Sequence, residues 1–423
     1  MLTQKRSDRG SIQLSLDENI DWILHPSGFR MTYGSFYIVS SASVPGSPFF
    51  FYILGMFWNN LAETMDRVSR NLALRPNYTM EEYQRWFDHN PDFKHNGNAE
   101  RIELIEPISL AGTNQLYRAK LWIQHPRDEK RYDEKEIVVK ICKYWAAPGK
   151  NRLHRLNMLL SAFQDEIRIN NLIRATNIEG VVQTFGGGIA GRHPYLKLEF
   201  IKGCSLDRVI KPKLSDEELI KRVAQIAYLA NTISQLHYYQ IVHKDIKPKN
   251  LLLCQNPAHK NNHKILLCDF GYAQAKMRET VTEGGGLFSP SYSAPELAQS
   301  SENITYAVDY FSFGAVMHEF LTGVKLYPKA KDIYTDEGRL ITKRYMEYIE
   351  NGRENVFNDE RFPEIHDWID ALTTFDASER MKKSPNLFAL AHKLREEVNA
   401  LGFRDVNTDF LWNQLNEYGK HTF

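Results

Sequence analysis

IVHKDIKPKNLLL, residues 241–253, sets Asp245 and Asn250 on one polar loop, with His243 before them and Lys247 between. KILLCDFGYA, residues 264–273, follows with Asp269, Phe270 and Gly271, and then SPSYSAPEL, residues 289–297, with Ala294, Pro295 and Glu296. Taken singly, Asp245 and Asn250 read as a solvated turn and Asp269 as a loop cap. Any one triplet recurs by chance in chains of ordinary composition, so it is the order of the three segments that carries information.

Outward from this stretch the pattern runs from strands to helices. IELIEPISL (102–110), LYRAKLWI (116–123) and KEIVVKICKYW (135–145) read as strands, SAFQDEIRINNLI (161–173) as a helix, and VVQTFGG (181–187) and YLKLEFI (195–201) as strands again. The remainder is mostly helical, with ELIKRVAQIAYLANTISQLHYY (218–239) and YAVDYFSFGAVMHEFLTG (306–323). That order predicts a small sheet-rich lobe followed by a larger helical one, with the ligand site in the cleft between them.

Together the three opening segments resemble the catalytic loop, the metal-binding DFG and the APE segment of the eukaryotic-type protein kinase family. The resemblance covers roughly residues 101 to 395. It implies an α+β, bilobal protein kinase fold with an extra N-terminal segment. The expected boundaries are an extension over 1–98, a kinase domain over 99–398 (N-lobe about 99–200, C-lobe about 203–398) and a tail over 399–423.

It also implies ATP and Mg2+ as cofactors and a protein substrate. Transfer of a terminal phosphoryl group needs cations to neutralise clustered negative charge and a fixed line of attack. Magnesium favours oxygen donors, which Asn250 and Asp269 would supply. Asp245 would orient the substrate hydroxyl and accept its proton, and Lys247 would reach the transferring phosphate. A lysine at the latter position is typical of family members that modify serine or threonine. Upstream, Lys140 on a strand and Glu166 on the next helix match the phosphate-contacting lysine and its glutamate partner.

Nucleotide contacts carried over from the family fall on Ser109, Ala111 and Gly112 in the phosphate-covering loop, with Leu116 and Val138 on the following strands. Leu198 would border the adenine site, the backbone of Glu199 and Ile201 would bond the base, Ser205 falls near the ribose, and Leu252 completes the set. Asp309 matches the aspartate that braces the catalytic loop, and Glu296 is expected to pair with Arg380.

The chain departs from the family in several places. Where the family shows GxGxxG, residues 109–114 read SLAGTN, with Gly112 the only glycine, so weaker nucleotide binding is expected. Val138 replaces the usual alanine. Lys244 replaces the arginine that grips an activation-loop phosphate, and the usual phosphorylation position falls on Gly285. Phosphorylation there is therefore not expected to be the switch, and Thr280 and Thr282 are the alternative acceptors. Ser289 is expected to bond toward Asp245 and Lys247. Asn170 and Thr184 stand where apolar residues usually link the lobes, which predicts a hydrogen bond between them. Cys268 would line the nucleotide pocket, most simply as a buried, inert thiol. A pseudokinase-like nucleotide-binding scaffold is the alternative reading, and a small-metabolite kinase a third.

The chain has 423 residues, 43% hydrophobic and 25% charged, enough apolar material for a sizeable core. With 53 basic and 52 acidic residues the net charge is +1, which gives no overall reason to expect a nucleic-acid partner. Four cysteines form no CxxC pair, and the N-terminus lacks a secretory signal, so the cytoplasm is the expected location. No Asp, Glu, Lys or Arg occurs between Arg30 and Glu63. Its longest apolar run, Pro48 to Trp58, is shorter than the roughly 18 residues a membrane helix needs, so no membrane span is expected. Two buried strands joined by Pro45-Gly46, then a helix through Leu61, Met65, Val68 and Leu72, are expected instead. Thr79 and Glu82 form a capping box opening a second helix through Trp86 and Phe87. The polar stretch 89–100 reads as a boundary. The extension is expected to pack on the small lobe or to bind a partner.

Overall fold

The computed structural model describes residues 2–6, 12–16, 20–25, 28–32, 78–89, 94–95, 98–110, 114–125, 128–142, 152–190, 193–256, 263–275, 289–299, 304–328, 333, 341–354 and 356–402. The chain divides into two compact units, Met1–Val68 and Ser69–Phe423. In the first, β1 (Leu2–Arg6), β2 (Ile12–Leu16), β3 (Ile20–His25) and β4 (Gly28–Thr32) form an antiparallel meander in chain order, which the sequence reading did not include. The strands expected near residues 35–58 and the helix expected through Leu61 and Leu72 lie outside the described residues.

The second unit opens with α1 (Met80–Asp88), whose start has the expected capping box. The Thr79 hydroxyl accepts the Glu82 N–H at 3.3 Å, and the Glu82 carboxylate accepts the Thr79 N–H at 2.8 Å. Two otherwise orphaned N–H groups are satisfied together. Tyr83 and Phe87, one turn apart, are buried.

They cover one face of a six-stranded antiparallel sheet. Its strands are β5 (Lys94–His95), β6 (Asn98–Ser109), β7 (Asn114–His125), β8 (Asp128–Cys142), β9 (Thr184–Ala190) and β10 (His193–Glu199), in the order β5-β6-β7-β8-β10-β9. Alternation along a strand sends successive side chains to opposite faces. Tyr117, Ala119 and Leu121 of β7 and Ile137, Val139 and Ile141 of β8 therefore share the core with Tyr83 and Phe87. Leu116, Val138 and Lys140 point to the other face. β8 starts earlier than its apolar run because the polar residues before it stay paired to β7, with Lys120 and Glu134 bonded at 2.8 Å.

α2 (Arg152–Thr176) follows β8 and takes in the basic stretch before residue 161. The mutual hydrogen bond expected between Asn170 and Thr184 does not form. Asn170 donates to the Glu166 carbonyl at 2.8 Å, one turn back on its own helix, and Thr184 donates to the Lys197 carbonyl at 3.2 Å. Each buried polar side chain finds a backbone acceptor closer to hand.

The larger, helical part contains β11 (Gly203–Ser205), α3 (Asp216–Tyr238), β12 (Ile241–Val242), β13 (Leu251–Cys254), β14 (Ile265–Leu267) and β15 (Gln274–Ala275), then α4 (Pro295–Gln299) and α5 (Ala307–Thr322). α6 (Thr342–Asn351), α7 (Glu364–Leu372), α8 (Ala377–Lys383) and α9 (Leu387–Ala400) complete it. β11, β13 and β14 form one small sheet and β12 and β15 another. Every residue of α5 from Ala307 to Leu321 is buried, so this helix is the axis of the lobe's core. Gly323 ends it in the left-handed region, where a side chain would also strike the Lys211–Pro212 backbone. Arg380, fully buried, bonds Glu296 at 2.7 and 3.2 Å, the expected pair. Among the described residues no helix is long and apolar enough to cross a membrane.

Candidate active site

The loop between β12 and β13 is held from below by one carboxylate. Asp309, near the start of α5, accepts the N–H groups of His243 and Lys244, each at 2.8 Å, and the His237 ring nitrogen at 2.9 Å. Burial alone would raise the Asp309 carboxyl, but these donors outweigh it and hold the group below the ordinary carboxylate range. The grip lets Lys244 adopt a φ of 66°, unusual for a residue with a Cβ. The buried His243 ring accepts the Asp245 N–H at 3.2 Å through Nδ1, so its Nε2 is the donor toward the Cys268 carbonyl, also at 3.2 Å. The two loops that carry Asp245 and Asp269 are thereby tied together.

Asp245 is the centre of a polar cluster. Lys247 Nζ reaches its two oxygens at 2.9 and 2.7 Å, and the Asn250 amide donates to its Oδ2 at 2.8 Å and its carbonyl at 2.9 Å. Ser289 lies where expected, accepting from Lys247 at 3.2 Å and contacting Asp245 at 3.4 Å. Burial pushes the Asp245 carboxyl up, with Lys247 opposing. A carboxylate so placed is a better proton acceptor than an exposed one.

Lys140 connects the sheet to this cluster. Buried on β8, it bonds Glu166 of α2 at 2.6 Å and Asp269 at 2.7 Å. Burial works against the ammonium, yet the two carboxylates more than compensate and keep it charged. Its charge in turn holds the Asp269 carboxyl below the ordinary range. Asp269 has a φ of 66°, a conformation that aspartate tolerates better than most residues. Lys140, Glu166 and Asp269, scattered over 129 positions, thus meet at one point, and the His243–Cys268 bond links that point to the Asp245 loop.

The expected nucleotide contacts fall on the same side of the sheet. Leu116 lies across from Lys140, and Val138 across from Leu198. Leu198, Leu252 and Cys268 pack on Val182, Ile201, Cys254 and Leu266 in one apolar cluster. The Glu199 N–H is bonded to the Gln183 carbonyl at 2.8 Å, and Glu199 is in register with Ile137 of β8. The N–H and C=O of Ile201 have no backbone partner among the described residues. Ser205 pairs with Leu252 in the small β11–β13 ladder, and Ser109 ends β6 opposite Leu116. Ala111 and Gly112, like Thr280, Thr282 and Gly285, lie outside the described residues. Burial pushes the Cys268 thiol up to about 12, so it is inert at neutral pH.

Two features escaped the sequence reading. Lys197 forms a buried ion pair with Glu100, although it sits in the middle of an apolar strand; a lone lysine in such a run is the one available signal. Arg118 joins carboxylates on both neighbouring strands, which neither periodicity nor spacing reveals.

The chain matches the protein kinase domain family over residues 129–393. It is 24% identical over 257 residues to a probable serine/threonine-protein kinase of Dictyostelium discoideum, covering 60% of this chain and 39% of that one. It is 27% identical over 226 residues to a probable serine/threonine-protein kinase of Clostridium acetobutylicum (53% and 30% covered). It is 31% identical over 180 residues to cyclin-dependent kinase-like 2 of Rattus norvegicus (41% and 33% covered). The matched stretch thus spans less than two fifths of each of these relatives.

Proposed function

The chain belongs to the protein kinase family, and from that premise we propose that it transfers the γ-phosphate of ATP to serine or threonine hydroxyls of proteins. The observation that carries this reading is that buried Lys140 bonds both Glu166 and Asp269, together with the Asp245–Lys247–Asn250 cluster.

Lys140 and Lys247 would meet phosphate oxygens with fixed positive charge, which needs no reorganisation as charge shifts during transfer. Asp245 receives the proton of the attacking hydroxyl. Ser289, bonded to Lys247, fixes the lysine's direction toward the acceptor.

The donor set suits a hard ion. The Asn250 amide NH2 is committed to Asp245, which leaves its carbonyl oxygen outward, and Asp269 has one oxygen beyond the one Lys140 takes. Magnesium held by these two would neutralise phosphate charge and keep water and phosphate oxygens as its other ligands. Four cysteines without disulfides support a reducing compartment such as the cytoplasm.

A nucleotide-binding scaffold without transfer is the second reading, favoured by the single glycine at 109–114. Incubation with labelled ATP, magnesium and a generic protein substrate separates the two. Label on protein that disappears in both Asp245→Ala and Asp269→Ala supports transfer; ATP binding with no label in the wild type supports the scaffold.

A further inference from the structure

Outside the catalytic cluster, a ladder of charges runs from the sheet to the segment joining the lobes. Glu106 of β6 is in register with Arg118 of β7. The Arg118 guanidinium bonds Glu106 at 3.1 Å through one NH2 and Glu136 of β8 through the other. The second Glu136 oxygen takes the Lys202 ammonium at 3.1 Å, just beyond the end of β10. The same guanidinium lies over the Phe200 ring, 4.9 Å from its centroid.

The ladder's position gives it a role. Arg118 is paired with Val138, and Val138 with Leu198, so these side chains share a sheet face. The ladder therefore lies next to Val138 and Leu198, and it ends on the connecting segment whose Ile201 backbone groups have no backbone partner among the described residues.

We propose that this ladder is a brace that fixes the opening of the cleft, with Arg118 as a positioning residue that raises affinity for the nucleoside part of the ligand. The proposal rests on the reading that nucleotide lies beneath Val138 and Leu198. Only a guanidinium can hold two carboxylates on opposite sides and stack on a ring at once; an ammonium makes one such link. Each pair is part-exposed and weak alone. β6, β7 and β8 are already joined by their backbone ladders, so what the series adds is the tie from the sheet to the connecting segment, through Arg118 on Phe200 and Glu136 on Lys202. A loop with one glycine cradles phosphate poorly, which leaves more of the affinity to these walls.

The test is equilibrium binding of adenosine and of ATP to the full chain, in wild type, Arg118→Ala, Arg118→Lys and Lys202→Ala. Adenosine carries no charge, so it reports the cleft without direct attraction to Arg118. The expected result is a several-fold rise in Kd for both ligands by the same factor in Arg118→Ala, part recovery in Arg118→Lys and a smaller rise in Lys202→Ala. KM for ATP should rise with kcat unchanged, and the gap to wild type should narrow at high salt. Weakened ATP with unchanged adenosine would mean that Arg118 meets phosphate directly, and unchanged affinity for both would mean there is no brace; either overturns the proposal while leaving the nucleotide site standing. Wild type binding neither ligand overturns both. Should Arg118→Ala fail to fold, Lys202→Ala, at the exposed end of the ladder, decides.

Discussion

The Gln84 carboxamide closes two hydrogen bonds with the edge of β6 around Leu104, accepting the Leu104 N–H at 2.7 Å and donating to the Ile102 carbonyl at 3.1 Å. β5 pairs with Asn98 and Ala99, and beyond them this edge has no neighbouring strand among the described residues. A side chain on α1 takes the place of one, and Tyr83 and Phe87 on the same helix roof the sheet. The helix is thus part of the lobe that carries Lys140, although it precedes the family match by about forty residues.

Phe87→Ala should lower unfolding free energy by about 3 kcal/mol, the usual cost of emptying a buried aromatic site. Gln84→Ala should cost only about 1 kcal/mol, because the freed edge groups can turn to water. Denaturant titration of the full chain measures both. Deleting residues 1–98 should abolish soluble protein, whereas a chain starting at residue 78 should still bind ATP; equal behaviour of the two truncations would show that α1 does not support the lobe.

What the sequence disclosed about this lobe and what it hid have different physical origins. The Thr79–Glu82 box is local, so its three-residue spacing suffices to find it. Lys140, Glu166, Asp245, Asn250 and Asp269 were singled out by the resemblance of their segments to the kinase family, and the structure brings Lys140 to Glu166 and Asp269, and Asn250 to Asp245. The extension was expected to pack on the small lobe or to bind a partner, but which residues α1 covers was not readable, since Tyr83 and Phe87 announce an apolar stripe without naming its partner. The Asn170–Thr184 bond was misread for the same reason: a helical asparagine always has a carbonyl one turn back within reach, and that local option prevails over a remote one.

Asp309→Ala would leave the buried N–H groups of His243 and Lys244 without acceptors, at about 1–3 kcal/mol each. Transfer should fall further than stability does, because Lys244 then loses what holds its left-handed φ and Asp245 moves with it. The folded-state carboxyl is depressed, so its contribution is present above the unfolded value of about 3.9 and is lost as pH falls through the lower folded value. Thermal melts of wild type and variant should therefore converge in strong acid and differ most near neutrality. A pH-independent gap would assign the effect to packing alone.

If Asp245 is the proton acceptor, kcat should fall on the acid side with a midpoint above the ordinary aspartate value of about 3.9, because burial raises it. Lys247→Met removes the cation that opposes the shift. The variant's midpoint should move to higher pH still, whatever happens to its maximal rate. A midpoint that stays fixed or drops would exclude Asp245 as the group titrating in the acid limb.

Removing Lys140 separates its part in folding from its part in chemistry. Lys140→Met leaves Glu166 buried and Asp269 beside it with no cation between them, and breaking a buried pair in this way costs about 3–5 kcal/mol. Both carboxyls then have raised folded pKa values, so protonation relieves the variant, and its deficit should shrink as pH is lowered from neutrality toward 5. Adding Glu166→Gln removes one of the two charges and should restore much of the stability. It should not restore transfer, which needs the cation itself and should stay down by about 100-fold or more. Melting curves and labelled-ATP assays on the single and double variants read the two effects independently. Recovery of activity along with stability in the double variant would show that Lys140 serves only to hold α2 against the sheet.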